Sequence, residues 1–60
     1  MSKLKEARLD AGLTQAKMSE LMKIPMRTIQ HWEGGTRQCP IWAEELILAE
    51  LARIKERNEQ

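Results

Sequence analysis

Residues that break helices stand at short intervals in this chain: Gly12, Pro25, the pair Gly34-Gly35 and Pro40. Between them almost nothing favours a strand. Val, Phe and Tyr are missing altogether, and no stretch alternates apolar and polar residues for long. Such a sequence can build short helices joined by tight turns and little else.

The first segment starts near Ser2 and ends at Gly12, with Leu4, Ala7, Arg8 and Ala11 on one side. Thr14 is a good cap for a second helix from Gln15 to about Lys23, because its hydroxyl can accept a first-turn N–H. Met18 and Met22 are four apart in that helix, and Leu21 lies three from Met18. Pro25 can open a third helix, where its missing N–H costs nothing. Ile29 and Trp32 give that helix an inward face, and Gly34-Gly35 stops it. After a polar loop from Thr36 to Cys39, Pro40 opens a long fourth helix that can reach about Arg57, with fraying expected from Arg57 to Gln60. The expected fold is all-α: one compact domain over residues 1–60, four helices or at most five, with a helix-turn-helix core at about 14–33.

Size and charge then narrow the function. A chain of 60 residues buries only about 60% of its unfolded surface, too little for a deep enzyme cleft or a second domain. The net charge is only +1, but it is unevenly spread: residues 1–40 carry seven basic side chains and four acids, residues 41–60 three and five. The two ends are therefore expected to do different jobs. Cys39 is the one cysteine, so no internal disulfide staples the core and a reducing compartment is expected. With no long apolar run and no apolar leader, the expectation is a soluble cytoplasmic chain with no membrane contact. His31 and Cys39 have no companions at ligand spacing, so no metal site is expected. No nucleophile–base set or phosphate-cradling glycine loop can be assembled, so neither enzymatic activity, a cofactor nor a small-molecule ligand is expected. Cys39 reads as loop packing, and Glu44-Glu45 as a first-turn complement to the helix dipole.

The spacing of the second and third helices is that of a helix-turn-helix. On the third, Met26, Arg27, Gln30 and His31 fall on one outward stripe. Arginine can pair bidentately with guanine and glutamine with adenine, so the stripe has the chemistry of a major-groove reader. It is equally what an ordinary solvated helix face looks like.

Gly12-Leu13-Thr14-Gln15, Arg27 through Gly35 ("RTIQHWEGG") and the downstream Pro40 together resemble the phage repressor/Cro-like (XRE-type) helix-turn-helix family over roughly residues 4–51. The resemblance implies a DNA-binding transcriptional regulator, usually dimeric on a pseudo-palindromic site. It implies that Gln15 contacts a DNA phosphate and that Met26, Arg27 and His31 face base edges, with Thr28 and Gln30 at the margins of the contact. It places Thr36 and Arg37 on the DNA backbone, and it pairs Arg8 with Glu33 in a structural role. The sequence departs from the family pattern at Lys23, where a glycine with positive φ is usual, and at Pro25, where Ser or Thr usually caps. Met18, Ser19 and Met22 replace the usual leucine, alanine and leucine, giving a softer core. Met26 can meet a thymine methyl but makes no hydrogen bond, leaving direct readout to Arg27, His31 and Gln30.

The fourth helix is apolar on two stripes: Ala43, Ile47, Leu51 and Ile54 on one, Ile41, Leu48 and Ala52 on another, about 120° away. One stripe suffices for the core, so Ile41, Leu48 and Ala52 are expected to form a homodimer surface; packing of the second stripe on the same chain is the alternative. Trp32 reads as a core anchor, whereas Trp42 fits either core or dimer surface. The functional expectation is a sequence-specific regulator that binds double-stranded DNA, probing the major groove with residues of about 25–33. The alternative is a protein-interaction module, antitoxin-like or an anti-repressor adaptor, on the same fold.

Overall fold

The computed structural model describes residues 3–59 and is helical throughout its regular structure. Its elements are α1 (Lys3–Asp10), α2 (Gln15–Met22), α3 (Met26–Gly34) and α4 (Ile41–Glu59). The breakers act where the sequence places them. Gly12 takes φ 77° at the α1–α2 corner, and Gly35 takes φ 81° to end α3. The expected start of α1 near Ser2 lies outside the described residues. Pro25 caps α3 from outside, one residue earlier than the helix proper, and no fifth helix occurs among the described residues.

The core is a single cluster drawn from all four helices and the loop before α4: Leu4, Ala11, Met18, Ile29, Cys39, Ala43, Ile47 and Leu51. Trp32, Leu48 and Ile54 pack against it from its margin. The α1 face expected inward is inward, with Leu4, Arg8 and Ala11 buried and Ala7 half-buried. Met18 is fully enclosed. Cys39 packs inside as expected, and burial, with the Glu44 carboxylate adding to it, pushes its thiol pKa upward; a protonated thiol is a poor nucleophile.

Two expectations about α4 need revision. The helix runs past the expected end at about Arg57 to Glu59, and the Asn58 side-chain amide in its last turn donates to the Ala11 carbonyl just after α1 at 3.0 Å; Gln60, the last residue expected to fray, lies outside the described residues. The second apolar stripe is not uniform either. Ile41 and Ala52 are exposed, but Leu48 lies half-buried against the chain's own core. The apolar surface α4 leaves open is instead Ile41, Trp42 and Leu46, 74%, 70% and 65% exposed. Trp42 is therefore not a core residue.

The corner between α2 and α3 carries backbone strain. Lys23 adopts the left-handed conformation, φ 55° and ψ 39°, which costs a residue with a Cβ about 1–2 kcal/mol. Ser19 supports it: its carbonyl accepts the backbone N–H groups of Lys23 and, at 3.2 Å, of Ile24, and its hydroxyl donates to the Ile24 carbonyl at 2.6 Å. Relieving the strain is partly offset by the greater chain entropy of glycine in the unfolded state. Lys23→Gly should therefore raise the unfolding free energy by about 0.5 kcal/mol in urea titration, whereas Ser19→Ala should lower it by about 1 kcal/mol or more through the lost hydrogen bond.

Candidate nucleic-acid interface

The site is assembled from four short pieces of chain held by one polar knot. Arg8 lies on the inner face of α1, and its side chain is 8% exposed; Glu33, near the end of α3, is 4% exposed. Arg8 Nε donates to Glu33 Oε2 at 2.8 Å and Nη2 donates to Oε1 at 3.0 Å, a two-point pairing of guanidinium and carboxylate. Nη1 donates to the Leu13 carbonyl at 2.7 Å, just before α2. Gln15, the first residue of α2, donates its side-chain amide to Glu33 Oε1 at 3.1 Å. The knot thus joins α1, the α1–α2 corner, the start of α2 and the end of α3. No buried side-chain nitrogen or oxygen among the described residues lacks a partner. Burial raises the Glu33 pKa, but the hydrogen bonds from Arg8 and Gln15, with the charges of Arg8 and Lys5, outweigh it and hold the carboxyl below its ordinary value.

Above this knot, α2 begins as expected. Thr14 caps it, its hydroxyl accepting the Lys17 backbone N–H at 3.0 Å. Pro25 gives α3 no side-chain cap; its carbonyl accepts the N–H groups of Thr28 at 2.9 Å and Ile29 at 3.2 Å. Ile29 is buried and Trp32 half-buried, so this side of α3 faces the core, and the Arg8–Glu33 pair holds the helix in that rotation.

That rotation turns the expected stripe outward. Met26, Arg27 and Gln30 are exposed and His31 is half-buried. Thr28 is half-buried at the edge of the stripe. Thr36 and Arg37 are exposed in the following loop, which is tied to α3 by the Arg37 N–H donating to the His31 carbonyl at 3.3 Å. The structure therefore brings Met26, Arg27, Gln30 and His31 onto one face, with Arg37 at its C-terminal end. Gln15 is half-buried, and one N–H of its amide is engaged by Glu33, leaving the other N–H of that group for an outside acceptor. Sequence reasoning missed this bond, although Gln15 and Glu33 were both singled out; only the fold brings them together, 18 residues apart. The one acid within α3, Glu33, has a buried side chain paired with Arg8, so it offsets Arg27 and Arg37 little. Among the described residues no helix is long and apolar enough to cross a membrane.

The helix-turn-helix family model matches residues 4–40, more than half of the chain and the whole of the knot, corner and stripe. The chain belongs to the repressor/Cro-like helix-turn-helix family. No curated protein and no solved structure matches it. Membership makes the chain a DNA-binding regulator in general.

The knot sets the pH response. Because the folded pKa of Glu33 is depressed, its contribution to stability is present above the unfolded value, ordinarily 4.5, and is lost as pH falls through the lower folded value. Urea unfolding followed between neutral and acid pH should show that loss in the wild type and a flatter profile in Glu33→Gln. Arg8→Met leaves a buried carboxylate unpaired and should cost about 3 kcal/mol, a large fraction of the roughly 5 kcal/mol available to a domain this small.

Proposed function

We propose that this regulator recognises specific double-stranded DNA sequences by laying α3 in the major groove, two copies acting together through α4 and working in the cytoplasm on nucleoid DNA. The observation that carries the reading is the solvent-facing stripe of α3, fixed by the buried Arg8–Glu33 pair. Arg27 is the principal reader, suited to the O6 and N7 edge of guanine. Gln30 suits adenine, His31 contributes a ring N–H, and Met26 offers an apolar contact to a thymine methyl. Gln15, Thr28, Thr36 and Arg37 hold the phosphate backbone, positioning the helix without reading sequence.

Four reading side chains on one helix make a weak half-site, and the net charge of +1 adds little non-specific attraction. Two linked copies raise the affinity through effective concentration without any new contact. The expected pairing surface is Ile41, Leu48 and Ala52, of which Ile41 and Ala52 are open to solvent. A second reading, a protein-interaction module on the same fold, is favoured by the exposed Ile41, Trp42 and Leu46.

Selection of bound sequences from a random duplex library separates the two. A palindromic motif should emerge, and in Arg27→Ala the information at one position per half-site should collapse, at a cost of about 1–3 kcal/mol. Arg37→Ala should instead weaken binding to all sequences alike and lower the salt slope by about 1. Failure to recover any motif, with no binding even at low salt, would favour the interaction module.

A further inference from the structure

Four sulfur-bearing side chains fall among the described residues: Met18, Met22, Met26 and Cys39. Three of them are shielded. Met18 is 0% and Cys39 7% exposed, and Met22 is half-buried against the core. Burial and the Glu44 carboxylate also raise the Cys39 thiol pKa, so the group that oxidants usually attack first is both enclosed and protonated. Met26 is the exception, 40% exposed. It is the first residue of α3, and side chains on a helix lean toward its N-terminus, so no preceding turn of α3 covers it.

A thioether open to solvent takes an oxygen atom from a peroxide. The sulfur lone pair attacks one peroxide oxygen, the O–O bond breaks, and a proton shift releases the other oxygen as water. The sulfur ends as a sulfoxide, oxidised by two electrons, and the peroxide is reduced by two. What gives the position its consequence is the stripe. Met26 shares the outward face of α3 with Arg27, Gln30 and His31, where an apolar thioether suits a thymine methyl. The sulfoxide is polar, and its oxygen accepts hydrogen bonds, so against a methyl it is desolvated without a partner. It suits instead an amino group, N4 of cytosine or N6 of adenine. The fold tolerates the change. The oxygen enters at the positive end of α3, where Pro25 supplies no side-chain acceptor, and the core around Met18 is left alone.

We infer that Met26 is a peroxide-sensitive modification site, and that its oxidation to the sulfoxide lowers the affinity of this chain for DNA without unfolding it. The effect on DNA rests on the reading that α3 lies in the major groove; the site of oxidation does not. The change is reversible by a dithiol reductase specific for methionine sulfoxide, whose thiols become a disulfide while the oxygen leaves as water. Occupancy of DNA then follows the balance between oxidant and reductase. A buried reactive cysteine could not serve in this way, because reaching it would require opening the core.

Hydrogen peroxide added to the full chain tests this. The readouts are mass spectrometry of tryptic fragments, circular-dichroism melting, and binding to the duplex selected by the untreated protein. Trypsin leaves Met26 alone in fragment 24–27 and puts Met18 and Met22 together in 18–23. Oxygen should appear first in 24–27, and the melting midpoint should move by less than about 4 °C. Affinity for the selected duplex should fall at least about fivefold and return after treatment with methionine sulfoxide reductases, one for each epimer. In Met22→Leu the fall should persist. In Met26→Leu, whatever its starting affinity, treated and untreated protein should bind alike. Oxygen entering 18–23 first, a melting transition that collapses as 24–27 is oxidised, or a fall that survives Met26→Leu overturns the inference. Arg27-dependent binding that is indifferent to peroxide also overturns it and leaves the major-groove reading in place. An untreated chain that binds no DNA even at low salt removes that reading and the effect on DNA with it, while selective oxygen uptake in 24–27 keeps the modification site.

Discussion

The arrangement of this small domain depends on one buried charge pair. A 60-residue chain has few apolar contacts to spare, and a guanidinium and a carboxylate taken out of water are expensive unless their hydrogen bonds are complete. Here both Glu33 oxygens accept, and Arg8 donates to Glu33 and to the Leu13 carbonyl. What the pair contributes is geometry. Apolar packing of Ile29 and Trp32 would tolerate some rotation or sliding of α3, whereas a two-point ion pair with a fixed distance to α1 does not. The outward direction of Arg27 and Gln30 follows from that restraint, because on a helix the position of Glu33 and the position of the stripe are set by the same rotation.

The α2–α3 corner shows a different balance between local preference and tertiary demand. Glycine would adopt the left-handed turn without strain; Lys23 adopts it at a cost. The cost is carried by Ser19, which binds both backbone groups that follow α2 and the Ile24 carbonyl. Two departures from the family pattern, a lysine for a glycine and a serine for an alanine, are thus linked physically: the second stabilises the turn that the first strains. Neither alters the stripe, since the corner's geometry is the one a glycine would give.

Much of this was legible in the sequence wherever the determinant is local. The glycines and prolines mark the ends of helices, Thr14 announces its cap three residues ahead of the N–H it accepts, and the inward residues of α1 and α3 follow from helical period alone. The Arg8–Glu33 pair was legible only through the family resemblance, because nothing local couples residues 25 apart. What escaped were contacts made by polar side chains across the fold. Asn58 reaching the Ala11 carbonyl leaves no periodic trace, so the end of α4 read as loose. The two apolar stripes of α4 were visible, but a helical wheel does not say how wide a sector the neighbouring helices cover. Leu48 lies just inside that sector and Trp42 well outside it. Apolarity alone therefore put Leu48 with the exposed Ile41 and Ala52 and left Trp42 undecided.

The uneven charge acquires a physical sense once the helices are in place. The stripe and its following loop expose Arg27 and Arg37, and the one acid within α3, Glu33, is paired with Arg8, while α4 carries Glu45, Glu50, Arg53 and Glu56 beside the exposed Trp42 and Leu46. A surface that approaches a polyanion gains from exposed cations, whereas a face that does not can carry acids, and most of the acids here lie on α4. The net charge of +1 is then no argument against DNA binding: it is the sum of two surfaces with opposite requirements. It also limits how far either can act alone. On the proposed reading, few phosphate contacts per copy make each association with DNA weak, and pairing of two copies couples them in one equilibrium. A copy held on DNA raises the local concentration seen by its neighbour, so occupancy of a paired site rises more steeply with protein concentration than either contact would allow. In a chain with this little surface, that coupling is the physical route from a modest half-site to a regulatory threshold.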